Sequence, residues 1–134
     1  MKVVVDTNVI VSALFTPAGT CGQVLDVLVE GVAQPCIDSR ITGEYEEALL
    51  DPLATFKREH VNTVLEMFRA GAEPVAAVPL RVTLPDPDDL AFLEVAAAAE
   101  AILVTGNKRH FPERARRGVV VLSPREFLDL LGRS

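Results

Sequence analysis

Lys2-Val3-Val4-Val5-Asp6-Thr7-Asn8 opens the chain, and its three consecutive β-branched residues followed by a carboxylate fix the expectation for everything after it. Val-Val-Val suits a pleated, buried surface, so residues 2–5 are expected to form a short strand. If that strand is central in an α/β sheet, Asp6 stands at its carboxyl end, where open parallel sheets place their ligand sites. A carboxylate there is a helix cap, a satisfied buried partner, or a ligand for metal or phosphate.

The chain has 134 residues, enough for one domain with a hydrophobic core and no need of disulfides or structural zinc. A single domain over 1–134 is therefore expected. A hydrophobic fraction of 49% and a charged fraction of 24% exclude a disordered chain. With no Trp, one Tyr and six Phe, the core must be built from aliphatic residues, and stacking platforms for bases are not expected. The net charge of -6 argues against broad binding to duplex DNA or anionic membrane. It leaves nucleic acid open, because an enzyme that gathers carboxylates for divalent ions is acidic until the metal binds. Asp6 interrupts the first apolar run too early for a secretory segment, and no run is long enough to cross a bilayer, so a cytoplasmic protein without membrane contact is expected. Cys21 and Cys36 lie at no metal-site spacing and are read as buried thiols.

Past Asp6 a short helix is expected, capped by Thr7 or Asn8, ending before Pro17 and Gly19. Val24, Leu25, Val27 and Leu28 predict an amphipathic helix over Thr20 to Glu30, with Gly31 as its stop, and Pro35-Cys36-Ile37 a brief strand. Ser39 is the expected cap of a helix carrying Glu44 and ending at Asp51-Pro52, and a further helix is expected from Phe56 to Ala70. Pro74 to Thr83 is apolar but broken by prolines, which fits a sheet-edge crossing segment or an ordered loop. Asp86 as N-cap with Pro87 at the first helical position opens an interior helix over Leu90 to Ala99. Ala101 to Thr105 is a strand, Phe111 to Arg114 a short helical turn, and Val119 to Leu122 the last strand. Ser123-Pro124-Arg125-Glu126 then forms a capping box before a terminal helix.

Strands alternating with helices imply a mostly parallel α/β sheet. The polar exceptions, Asp6, Glu44, Asp86, Asp88, Asp89 and Thr105 to Asn107, then fall at comparable places near strand ends. A carboxylate cluster repels itself unless protonated or metal-bound. Oxygen donors favour Mg²⁺ or Mn²⁺, which activate water and neutralise phosphate, so the cluster suits phosphodiester hydrolysis.

The stretches VVVDTNVIVSALF (3–15), Glu44-Tyr45, DPDDLAFLEVA (86–96) and VTGNKRHFP (104–112) together resemble the PIN-domain nucleases, in particular the bacterial and archaeal branch described as toxin components of toxin-antitoxin pairs. The resemblance runs from residue 2 to about residue 112. It implies a three-layer α/β/α fold and an acidic pocket that binds magnesium or manganese and cuts single-stranded RNA. It also implies frequent homodimers and an antitoxin partner. Carried over by position, Asp6, Glu44 and Asp89 match the first three family acids, with Asp86 in reserve. At the fourth, where Asp is common, this chain has Asn107, which keeps an amide oxygen and loses one negative charge.

Thr7, Asn8, Thr105, Lys108, Arg109 and His110 are expected around the phosphate, and Arg114, Arg116 and Arg117 could extend that basic track. Each has a plainer role: Asp6 bonded to following amides, Glu44 solvent-facing like Glu46 and Glu47, Asp86 a cap, Asp88 exposed first-turn charge, and the basic run a solvated face. His110 is not expected as the main base. Three rivals stand beside the nuclease. A receiver-type phosphoacceptor domain would need an acceptor Asp directly after a central strand and a solitary Lys ending a late strand, whereas the middle acids here open a helix behind prolines; an aspartyl phosphatase would need a second Asp where Asn8 stands. A non-catalytic RNA- or protein-binding module with a vestigial pocket is favoured by Asn107.

Overall fold

A computed structural model describes residues 1–133. Residues Lys2–Val5 form β1, and its three valines are almost wholly buried. β1 lies at the centre of a five-stranded sheet of order β3-β2-β1-β4-β5, with β2 at Gln34–Ile37, β3 at Glu73–Pro74, β4 at Ile102–Val104 and β5 at Val121–Leu122. Every pairing is parallel, and Val3, Val4 and Val5 stand opposite Ile102, Leu103 and Val104. The order differs from the 2-1-3-4-5 arrangement of phosphoacceptor receiver domains.

Parallel strands need crossovers, and helices on both faces of the sheet supply them in a three-layer α/β/α fold. The helices are α1 (Thr7–Phe15), α2 (Thr20–Val29), α3 (Ser39–Leu49), α4 (Arg58–Gly71), α5 (Leu90–Ala99) and α6 (Pro124–Leu130). α2 packs on α1 and α6, whereas α5 lies against β1, β2 and β4. Phe92, Leu93, Val95 and Ala96 of α5 are buried, which fits its apolar circumference. Burying each large side chain contributes about 1.5–3 kcal/mol. Tyr45 anchors α3 to the sheet through its hydroxyl, which donates to the Val5 carbonyl at 2.5 Å.

Local chemistry explains where elements start. Asp86 caps Pro87–Asp89, a 3₁₀ turn that leads into α5, by accepting from the Asp88 N–H. Ser123 and Glu126 make the reciprocal capping box that starts α6. Two helices are capped earlier in the chain than expected. Asp38, not Ser39, caps α3, its Oδ1 accepting from Arg40 and Ile41 N–H at 3.0 Å each. Asp6, not Thr7 or Asn8, holds the N-cap position of α1. Of the Pro74 to Thr83 segment, only Pro74 joins the sheet, at its edge, and the remainder is irregular. The helical turn expected from Phe111 to Arg114 is split into two 3₁₀ turns, Lys108–His110 and Glu113–Ala115. Cys21 is half-buried, Cys36 buried, and both are free. Among the described residues no single helix is long and apolar enough to cross a membrane.

Candidate metal centre

Asp6 is the first residue past β1, and its N–H still bonds the Val104 carbonyl at 2.9 Å, so the ladder fixes its place. The side chain is buried at the strand end, where Oδ2 accepts from the Thr105 hydroxyl at 2.7 Å. Thr105, itself fully buried, accepts at the same oxygen from the Asn107 N–H at 3.1 Å. One hydroxyl thus joins Asp6 to the loop after β4. Burial raises the Asp6 carboxyl above its usual range, opposed first by the Thr105 hydroxyl and then by the peptide group of Asn8.

Asp89 is supplied by the turn that leads into α5. The turn that Asp86 caps places its carboxylate inward at the mouth of α5, where Oδ2 lies 3.0 Å from Nδ1 of His110. Burial first, then the charges of Asp6 and Asp86, push the Asp89 carboxyl up to about 6, against the pull of His110. Asp86, Asp89 and His110 each offer a donor atom within 4.8 Å of the others. Two carboxylates and an imidazole at that separation fit a divalent cation, which would relieve their mutual repulsion. The inclusion of a ring nitrogen departs from the all-oxygen donor set expected from sequence.

Glu44 projects from α3 and lies outside that three-residue group. It is half-buried, and burial followed by the fields of Asp88, Glu47, Asp6 and Asp86 raises its carboxyl. Its neighbours on α3 are differently engaged: Glu46 pairs with Arg69 at 3.2 Å, and Glu47 is exposed. Asp88 is exposed as well. Asn107 is half-buried, with its backbone engaged by Thr105.

The residues expected at the phosphate divide. Asn8 Oδ1 accepts from the Gly106 N–H at 3.2 Å and pins the loop after β4 over the start of α1. The Thr7 hydroxyl is buried with no partner among the described residues. Arg109 is exposed. Lys108 is drawn to Glu126 of α6, Nζ to Oε1 at 2.8 Å, and with the Ser123 N–H lowers that carboxyl to about 2. The pair is exposed, so parting it costs little.

Sequence reasoning missed Glu94, a buried acid on the apolar helix α5. Its Oε1 receives Arg40 Nη1 at 2.7 Å and its Oε2 the Leu80 N–H at 2.8 Å. Arg40 also grips Asp38, so α3, α5 and the irregular segment before Asp86 meet at one carboxylate. A charge within an apolar helix signals a buried partner, but the sequence does not say which.

Residues 2–109 match the family described as PIN domain. An uncharacterized protein of Methanocaldococcus jannaschii is 31% identical over 111 residues, covering 81% of this chain and 72% of that protein. Among solved structures, a chain of VapBC2 from Rickettsia felis, bound to a DNA fragment from their promoter, aligns with a TM-score of 0.63 at 20% identity, covering 92% of this chain and 98% of that one. A chain of FitAB bound to a DNA fragment aligns with a TM-score of 0.57 at 14% identity, covering 91% and 94%. At those identities the likeness is one of fold.

Proposed function

The chain belongs to the PIN domain family, and on that ground we propose that it is a metal-dependent endoribonuclease that hydrolyses phosphodiester bonds of single-stranded RNA. The observation that carries the reading is the convergence at one end of the sheet of Asp6, Asp86, Asp89 and His110, with the Asp89 carboxyl raised to about 6 by burial and then by the charges of Asp6 and Asp86. A carboxylate perturbed by burial and by neighbouring acids, in a cluster that can hold a cation, marks a candidate functional site.

In this reading Asp6, Glu44 and Asp89 hold the ion, Asn107 helps complete its surroundings, and Asp86 and His110 stand beside Asp89 as further donors. A bound Mg²⁺ or Mn²⁺ supplies acidification of water and neutralisation of charge on the phosphate oxygens. The imidazole favours Mn²⁺ over Mg²⁺. Thr105 keeps Asp6 aimed at the pocket, and His110 does the same for Asp89. Thr7, Asn8 and Arg109 border the space a phosphodiester would fill, and Lys108 joins them when it leaves Glu126.

Membership of the PIN domain family supports a role as the toxin of a toxin-antitoxin pair, with an antitoxin partner and a homodimeric toxin, and the chain shares its fold with VapBC2 and FitAB, both described on DNA. Asn107 in place of an acid favours the second reading, a regulatory module that keeps metal affinity without hydrolysis. Incubating end-labelled single-stranded RNAs with pure protein in Mg²⁺, Mn²⁺ or chelator separates the two. Cleavage is expected with metal, and loss of it on chelation, in Asp6→Asn and in Glu44→Gln, both still folded. Full activity of Glu44→Gln removes Glu44 from the ion's donors, and Mn²⁺ binding through Asp6 without cleavage of any RNA gives the module the better claim.

A further inference from the structure

Beside the acidic pocket lies a feature of opposite sign. A cleft of about 410 Å³ is lined by Arg81, Arg114 and Arg117, with buried Leu84 and Ala115 and the exposed Pro85. No carboxylate lines it, and none of the three arginines enters an ion pair among the described residues. On a chain of net charge -6, three unneutralised guanidinium groups around one concavity are an uneven distribution. Like charges so gathered repel, and an anion in the cleft relieves them.

The arginines come from two distant segments that the fold holds together. Arg117 Nη2 donates to the Arg81 carbonyl at 2.9 Å, tying the loop before β5 to the irregular segment before α5. Arg117 takes the left-handed conformation with φ of 51°, followed by Gly118 with φ of 86°, so the chain turns sharply at the cleft's rim. Arg116 does not line the cleft, and its Nε donates to the Phe111 carbonyl at 2.8 Å.

The cleft's Pro85 is followed directly by Asp86, one of the donors at the candidate metal centre. That end of the cleft therefore lies one residue from the candidate metal centre, and from there the cleft extends towards Arg117, which reaches Ala97 and Glu100 at the far end of α5. We propose that the cleft of Arg81, Arg114 and Arg117 binds backbone phosphates of single-stranded RNA flanking the bond presented to the acidic pocket. The proposal rests on the nuclease reading above and adds where the strand runs. Guanidinium groups suit it, since each forks onto phosphate oxygens. An acidic polypeptide would also meet three positive charges, but continuity with a pocket suited to phosphodiester chemistry favours RNA.

The test measures binding of a labelled single-stranded RNA with Mn²⁺ in an Asp6→Asn background, as a function of salt, and cleavage of the same RNA in the otherwise unchanged protein. Two triple variants are compared, Arg81→Gln/Arg114→Gln/Arg117→Gln and the corresponding lysine set, with circular dichroism to confirm the fold. The glutamine set is expected to weaken RNA binding at least about ten-fold and to reduce the slope of log affinity against log salt by about 2, since each lost contact to a single strand contributes about 0.7. The lysine set keeps most of that slope. In cleavage the glutamine set raises KM and leaves kcat unchanged. Affinity and slope equal to those of the parent overturn the proposal, as does loss of polyglutamate binding with RNA binding intact. A parent that binds no RNA removes cleft and nuclease together, whereas arginine-dependent binding without cleavage leaves the cleft standing and removes only the hydrolysis.

Discussion

Raising the pH of the metal-free protein from about 4 to about 8 should destabilise it, and Asp89 sets much of the amount. Its carboxyl is raised in the folded state from an ordinary 3.8 to about 6. A group with a raised folded value contributes stability that is fully present below its unfolded value and is lost as the pH climbs through the folded one. The interval corresponds to about 3 kcal/mol as a ceiling. The Asp89 side chain is 11% exposed, but the His110 ring beside it is 39% exposed, so water reaches the pair. Screening there brings the expected loss to about 1–2 kcal/mol. Asp6 and Glu44 are raised too and act in the same direction. Urea midpoints followed by circular dichroism in chelator, for the unmodified protein and Asp89→Asn, measure the Asp89 share by difference. The unmodified protein should lose the stated amount relative to the variant between about pH 4 and pH 7. Parallel curves, or a relative gain with rising pH, would refute the reasoning. Added Mn²⁺ at a hundred times its Kd should restore about 2.7 kcal/mol near neutrality and little at acid pH, where the donors hold protons.

Thr105→Val keeps the side chain's shape and removes the hydroxyl, leaving Asp6 and the Asn107 N–H without that partner; unfolding in urea should show a loss of about 1.5–3 kcal/mol. Calorimetric titration of the same variant should show Mn²⁺ bound about ten-fold more weakly, as for other residues that orient a metal's ligands. Gly22→Ala pits two effects against each other, because alanine in a helix gains about 1 kcal/mol over glycine, yet a Cβ at Gly22 would lie 1.9 Å from the Pro17 carbonyl oxygen. Backbone must shift, so thermal unfolding should show a net loss of about 1–3 kcal/mol, and an unchanged or higher midpoint would contradict the close approach of α2 to Pro17.

The sequence announced those features whose causes lie within a few residues of one another. Asp86 with Pro87, and Ser123 with Glu126, are recognised because cap and partner are neighbours. The Val3-Val4-Val5 run reads as a strand because it has no competing period. Ser39 in place of Asp38 is the kind of error that two adjacent capping residues invite, since either side chain can reach the first free N–H groups. What stayed hidden depends on contacts between distant segments. Asp89 meets His110 across 21 positions, and Glu94 meets Arg40 across 54. Lys108 shows the same limit, since its sequence neighbours suggest a phosphate site and its ammonium lies on Glu126. The cleft was half visible: Arg114 and Arg117 stood in a basic run, whereas Arg81 joins them only through the fold.

The central position of β1 has a consequence for the order in which the protein comes into being. Synthesis delivers β1, β2 and β3 first, and these three can pair while the other edge of β1 waits for β4. Asp6 emerges with β1, but the hydroxyl that holds it belongs to Thr105, 99 positions later. A ribosome therefore carries a growing chain whose acidic pocket lacks one wall until β4 has emerged. Closing a loop of that length also makes the β1–β4 pairing a late step in refolding. Until it happens, β1 shows an unpaired edge of three valines, the surface on which an interrupted chain would aggregate.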